Sequence, residues 1–320
     1  CLQYLDHIAP MAHFLKVPLV VDDLNIFETA KSFYPDVEII YIDKNSVMKE
    51  LAQQADMLIT PIPTQLLDTF RKICHDFFGK KMKVVFCPHG NSDKDNLSVL
   101  AGEDQVLAYG KQMVDRGGLN ENQYCLVGGY RYQYFKKNQA FYDQFIVEEK
   151  ALTKEFEKTF FYAPTWCDFE DNFQLGWAEN LCEIFPKNYL LLMKLHPNTQ
   201  RDSPAKVHYL QQTLPKNIRL IDDIPLIYPF LDLADGYISG VSSVAYSCLF
   251  LPKPLFLQGV TENHAIAKSG YLLPEDITAA ELRSMLETTT QPHPGREQLQ
   301  QYAFATDVAL EKLPQKLQQL

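Results

Sequence analysis

Short apolar runs recur along this chain at intervals filled by amphipathic segments, and several of the runs end in a polar, loop-forming motif. Lys83-Val-Val-Phe86 and Tyr189-Leu-Leu-Leu-Met193 are of this kind. Such runs lack apolar/polar alternation, so both faces of each strand must be covered, and parallel strands with crossover helices achieve that. An α/β fold is therefore expected. The runs place strands in the first half near 18–21, 38–42, 57–60, 83–86, 105–108 and 124–127. In the second half they fall near 159–163, 189–195, 218–221, 236–239 and 254–257. Helices fill the intervals, most clearly over 64–78, and an apolar helix is expected from about Val244 to Leu251.

A chain of 320 residues exceeds what one hydrophobic core usually serves, so two domains of roughly 150 residues each are expected. Residues 137–158 are charged and aromatic without a strand pattern, which puts the boundary near 150 and the domains at 1–150 and 151–320. From about Glu297 the tail is Gln-rich, with Leu299, Tyr302, Ala303, Val308, Leu310 and Leu313 as its apolar set. It reads as one terminal helix packing back across the protein. Ala55-Asp-Met-Leu-Ile-Thr60 and Ala234-Asp-Gly-Tyr-Ile-Ser239 form a weak internal echo consistent with two similar halves.

A net charge of −10 argues against affinity built on neutralising nucleic-acid phosphates, so no nucleic-acid partner is expected. Seven cysteines are scattered without a C-x-x-C pair or metal-finger spacing, which fits reduced thiols in a cytoplasmic protein. The apolar runs are far shorter than the ~20 residues that span a bilayer. The chain begins with Cys1 rather than Met, which leaves room for sequence upstream. No P-loop, G-x-G-x-x-G, G-x-S-x-G or H-E-x-x-H motif is present. Asp22-Asp23, Asp222-Asp223 and Asp168-Phe-Glu-Asp171 are acidic pairs of the kind usually solvated or capping, and no metal is expected.

In open α/β sheets, ligands bind beyond the carboxyl ends of strands. Two histidines stand there, one per half, in Lys83-Val-Val-Phe-Cys-Pro-His89-Gly90 and Leu190-Leu-Leu-Met-Lys-Leu-His196-Pro197. Together they suggest one cleft between two domains. His89 opens a polar loop with Gly90 and Lys94. With an ordinary pKa near 6.5 it can take a proton from an attacking hydroxyl, oriented by Asp93 or Asp95; capping of the strand end is the plain alternative. His196 has Lys194 before it and Arg201 after it, a setting for an anion, and the alternative is a histidine satisfied by backbone. Ser239-Gly240-Val241-Ser242-Ser243 precedes an apolar helix, where free amides and hydroxyls can form a phosphate nest, although serines also cap helices without any ligand. Thr165 and Trp166 follow the first strand of the second half. Arg131, in Gly128-Gly129-Tyr-Arg131, offers a cation at the end of the first.

Taken in order, these motifs resemble the CDP-glycerol glycerophosphotransferase family, the teichoic-acid polymerase and primase group. The matches are His89-Gly90 with Lys94, the Gly128 to Arg131 turn with Tyr130 where the family has Pro, Tyr162-Ala-Pro-Thr-Trp166, Leu195-His196-Pro197, and Ser239-Gly240-Val241-Ser242-Ser243. They span roughly residues 80 to 260. Gly240 stands where the family has Asp, and Cys87-Pro88 where an aromatic is usual.

The resemblance implies a GT-B architecture: two doubly wound Rossmann-like domains facing across a cleft, the first on the acceptor side and the second binding the nucleotide donor. It implies transfer of a glycerophosphate-like group from a CDP-activated donor to a hydroxyl of a cell-envelope glycan or polyol-phosphate acceptor, with release of CMP. His89 and His196 would be catalytic. Ser239, Gly240, Ser242, Ser243 and Thr165 would hold donor phosphates, with Gly90, Lys94, Arg131, Trp166 and Lys194 as further substrate contacts. The CDP-linked donor is a substrate, and no cofactor is implied. The family's setting is cytoplasmic, at the inner face of the membrane with peripheral attachment, although the membrane-binding helix of polymer-synthesising members is not evident here. A GT-B glycosyltransferase or related nucleotide-sugar enzyme, and a catalytically silent nucleotide-binding scaffold, are the alternatives.

Overall fold

The computed structural model describes residues 2–94, 96–164, 175–221, 224–306 and 309–319. The chain divides into two compact units. Unit 1 comprises Cys1–Asn91, Asp95–Tyr134 and Gln301–Leu320, and unit 2 comprises Ser92–Lys94 and Phe135–Gln300.

In unit 1, β1 (Leu19–Val21) pairs in parallel with β2 (Ile39–Tyr41). A second sheet runs β3 (Met57–Thr60), β4 (Lys83–Phe86), β5 (Val106–Ala108) and β6 (Tyr124–Leu126), all parallel and in sequence order. Of these strands, β5 is buried along its length. The segment expected as a helix over 64–78 is a 3-10 turn at Thr64–Leu67 followed by an α-helix over Asp68–Phe78, which ends at Gly79 with φ +62°. Glycine takes this left-handed C-cap without the Cβ penalty other residues would meet.

Unit 2 holds one six-stranded parallel sheet. Its strands are β7 (Lys158–Ala163), β8 (Tyr189–Met193), β9 (Ile218–Leu220), β10 (Gly236–Ser239), β11 (Leu255–Leu257) and β12 (Tyr271–Leu272), arranged β12-β11-β10-β7-β8-β9. Numbered from its first strand, this is the order 3-2-1-4-5-6 of dinucleotide-binding sheets, and the reversal falls between β7 and β10. Tyr189 to Met193 and Gly236 to Ser239 are buried throughout, as strands covered on both faces must be. Phe160, Tyr162, Leu191, Met193, Ile238 and Phe256 are central to the core on one face.

Three expectations change here. The chain passes to unit 2 after Tyr134 rather than near 150, because Phe135 stacks on Tyr142 and Tyr228, at 6.1 and 5.8 Å between ring centroids. The strand β12 was not foreseen, since two residues leave no readable pattern. The tail is not one helix. Helices cover Arg296–Ala303 and Leu313–Gln319, and between them Thr306 forms an antiparallel bridge with Val127 of unit 1. Phe304 packs edge-on against Tyr109, and a Cβ on Gly110 would lie 2.4 Å from the Ala303 carbonyl carbon. The tail therefore docks so closely on the end of β5 that position 110 must lack a side chain. Val308 of the expected apolar set lies outside the described residues. Among the described residues no helix is long and apolar enough to cross a membrane.

Candidate functional site

In unit 2 the strand order gathers residues that are far apart in sequence. Ser239 pairs in register with Ala163, and Met193 with Tyr162, so the loops after β10, β7 and β8 leave the sheet side by side at the reversal. His196 N-caps the helix Pro197–Asp202, its Nδ1 accepting the Asn198 amide at 3.1 Å. A ring nitrogen that accepts carries no proton, so neutral His196 holds its hydrogen on Nε2 and is a donor there. Donation suits contact with an anionic oxygen. Lys194 is half-buried and gives its ammonium to the Ile224 carbonyl at 2.5 Å.

The serines divide by role. Ser239, 1% exposed, donates to the Ala163 carbonyl at 3.3 Å across the reversal and meets the Ser242 hydroxyl at 3.2 Å. Ser242 caps the helix Ser243–Cys248, accepting from the amides of Val244 and Ala245 at 3.2 and 3.3 Å. One hydroxyl has one hydrogen and two lone pairs. Ser242, accepting twice and donating to Ser239, is fully used in shaping the loop. Ser243 is half-buried, and its hydroxyl makes no hydrogen bond among the described residues. Gly240 is buried between them. Thr165 and Trp166 lie outside the described residues.

Ser92–Lys94 belongs with unit 2 because Asp93 accepts from the Tyr246 hydroxyl at 2.8 Å and from the Ile266 amide at 2.9 Å. Its carboxylate thus ties this loop to the helix that opens at Ser243. Lys94 is half-buried, and Asp95 lies outside the described residues.

In unit 1, β4 delivers Cys87 and Pro88 buried and His89 exposed. Gly90 follows with φ +138°, where a side chain would be strained. The His89 imidazole meets the ring of Tyr4 edge-on at 5.0 Å and that of His7 at 6.4 Å. Tyr4 and His7 come from the N-terminal helix Leu2–Leu15, three residues apart and so on one face. His7 Nδ1 bonds the Tyr109 hydroxyl at 2.7 Å, which bonds the Tyr130 hydroxyl at 3.0 Å, which reaches the Cys87 sulfur at 3.9 Å. This polar chain closes back on the strand end that carries His89.

Arg131, expected as a cation for substrate, is 7% exposed and forms an ion pair with Asp6, itself 6% exposed. Its Nε also donates to the Asp6 carbonyl at 2.9 Å, and Tyr34 donates to the Asp6 carboxylate at 3.2 Å. The guanidinium is thus neutralised inside the unit. Burial first, then the charges of Arg131 and His89, hold the His7 imidazole well below its ordinary pKa, so His7 is neutral at pH 7. The sequence reading missed Asp6 and His7. Asp6 and His7 find their partners, Arg131 and Tyr109, 125 and 102 residues away, so nothing local marks them. Among the described residues no group of three or more His, Cys, Asp or Glu side chains is placed to hold a metal ion.

No protein-family model matches the chain, and no curated protein matches it in sequence. Solved structures do share its fold. A variant of the wall teichoic acid polymerase TagF matches with a TM-score of 0.58 at 14% identity, covering 88% of this chain and 76% of that one. A Listeria monocytogenes protein assigned as a UDP-N-acetylglucosamine 2-epimerase matches at 0.61 and 13%, covering 99% and 92%. MnaA of S. aureus, solved with UDP, matches at 0.57 and 12%, covering 98% and 92%. The fold is α/β with parallel sheets, of the GT-B kind.

Proposed function

We propose that the protein is a GT-B transferase that moves a phospho-alcohol group from a CDP-activated donor to a hydroxyl of a glycan or polyol-phosphate acceptor. The observation that carries this reading is the strand order of unit 2, which brings the loops after β8 and β10, bearing His196, Gly240 and Ser243, to one end of the sheet at its reversal, with Ser239 and Ser242 bonded to each other in the second loop. A diphosphate bound there would receive a hydrogen bond from His196 Nε2 and one from the Ser243 hydroxyl. Both would meet charge that grows in the transition state. The acceptor oxygen attacks the phosphorus distal to cytidine, and the bond from that phosphorus to the bridging oxygen breaks. CMP leaves with the electron pair. His89 takes the acceptor's proton, so the reaction balances without a further reactant. The ordered motifs that resemble the glycerophosphotransferase family support this choice among GT-B chemistries.

A second reading, a nucleotide-sugar enzyme, is favoured by coverage. The epimerase-assigned protein and MnaA align with 99% and 98% of the chain, against 88% for TagF. Calorimetric titration with CDP-glycerol, CDP, CMP, UDP and a UDP-sugar, followed by chromatography of the released nucleotide, separates the two. Cytidine preference with CMP release supports phospho-alcohol transfer. Uridine preference with release of UDP, or interconversion of the UDP-sugar, supports the second reading. Binding without turnover of any donor points to a silent scaffold.

A further inference from the structure

The N-terminal helix brings to His89 a second imidazole that the proposed chemistry does not use. His7 is 6% exposed, and its Nδ1 is fixed by the Tyr109 hydroxyl at 2.7 Å. Its other ring nitrogen, Nε2, has no hydrogen-bond partner among the described residues. A nearly enclosed imidazole nitrogen without a partner carries a desolvation cost unless water or a ligand satisfies it. The hydroxyl of Tyr4, half-buried on the same helix face, likewise makes no hydrogen bond among the described residues, and its ring abuts His89.

We propose that His7 is a second substrate-contacting histidine of unit 1, its Nε2 hydrogen-bonding a hydroxyl of a polyol or sugar beside His89. Three observations select a neutral hydroxyl over an anion. Arg131, the nearby cation, is already neutralised by Asp6. His7 itself is uncharged at pH 7. The Tyr109–Tyr130 chain can run in either direction, so Nε2 can donate or accept, and a hydroxyl can answer either state. The aromatic edge supplied by Tyr4 suits the apolar C–H face of the same molecule. Assignment of this hydroxyl to the acceptor rests on the transfer reading above; the contact itself does not.

The test uses two amide variants of the whole chain. Asparagine places its nitrogen near imidazole Nδ1, so His7→Asn keeps the Tyr109 bond and loses the outer contact. Glutamine reaches the position of Nε2, so His7→Gln does the reverse. With CDP-glycerol as donor and glycerol 3-phosphate as acceptor probe, His7→Asn is expected to raise the acceptor KM about tenfold, one hydrogen bond's worth. The donor Kd and the melting temperature stay unchanged, and His7→Gln recovers most of the KM. His7→Asn behaving as wild type while His7→Gln is impaired would overturn the proposal, leaving His7 a support for Tyr109. A second measurement needs no turnover: ¹⁵N-histidine spectra of the wild-type protein, with His7 assigned by loss of its signals in His7→Gln. Glycerol or glycerol 3-phosphate should move the His7 Nε2 resonance, and its staying fixed up to high probe concentration would also sink the idea. Should no donor turn over, the transfer reading fails while the spectra still decide the contact.

Discussion

The Asp6–Arg131 pair gives the sharpest quantitative prediction. Both side chains are more than nine-tenths buried, and the pair joins the N-terminal helix to the start of the helix Tyr130–Lys137 that follows β6. Removing one partner of such a pair strands a charge in a poorly solvating interior, at about 3–5 kcal/mol. The two deletions differ in kind. Arg131→Met leaves a carboxylate that keeps the Tyr34 hydroxyl and can take up a proton, whereas Asp6→Asn leaves a guanidinium that cannot lose one. Asp6→Asn should therefore be the more damaging. In a unit of about 150 residues each kcal/mol moves the melting temperature by ~2–4 °C, so Arg131→Met should lower it by about 6–20 °C. The double variant Asp6→Leu/Arg131→Met should recover most of that loss, because apolar replacement of a buried pair is close to neutral. Calorimetry is the assay of choice, since it reads the unfolding of each unit directly. A fall of less than about 2 °C for Arg131→Met, or a double variant worse than either single one, would refute the reasoning.

Three further outcomes are expected. Ser243→Ala should weaken CDP binding about tenfold while leaving stability unchanged, whereas Ser242→Ala, which removes a cap, should cost about 1 kcal/mol of stability; calorimetric binding and denaturant titration on both variants check this. His7 has a folded-state pKa depressed below 6.5, so its stabilising contribution is fully present above that pH and is lost progressively as the pH falls below it toward the folded value; denaturation midpoints between pH 8 and 5 should fall less steeply in His7→Gln than in wild type. Burial pushes the thiols of Cys87 and Cys182 up to about 12 and raises that of Cys248 as well. At pH 8 only about one molecule in 10⁴ carries a given thiolate with a pKa near 12, so peptide mapping after iodoacetamide treatment of native protein should find these three unmodified.

Most of the strand framework was legible because burial on both faces leaves a local signature. The runs ending at Thr60, Phe86, Ala163 and Ser239 stop where the structure stops them. The loops and caps after β8 and β10 were legible for the same reason: a strand end followed by Ser-Gly-Val-Ser-Ser or His-Pro marks a loop and a cap. Their division of labour was not. Ser239 is occupied because Ala163 lies opposite it, and that register depends on β10 lying beside β7, 76 residues away. The internal echo shows the same limit, since β3 ends its four-stranded sheet while β10 lies inside a six-stranded one.

By itself, the sequence determined most of the strands, that they are parallel, and which polar residues stand at their carboxyl ends, since alternation, run length and loop chemistry act over a few residues. Tertiary structure alone decided the company those residues keep. It paired Arg131 with an aspartate 125 residues away, set His7 beside His89, and broke the tail so that Thr306 meets Val127. These outcomes rest on which elements pack together and on the cost of leaving a buried charge or ring nitrogen unanswered, and neither leaves a local pattern to read.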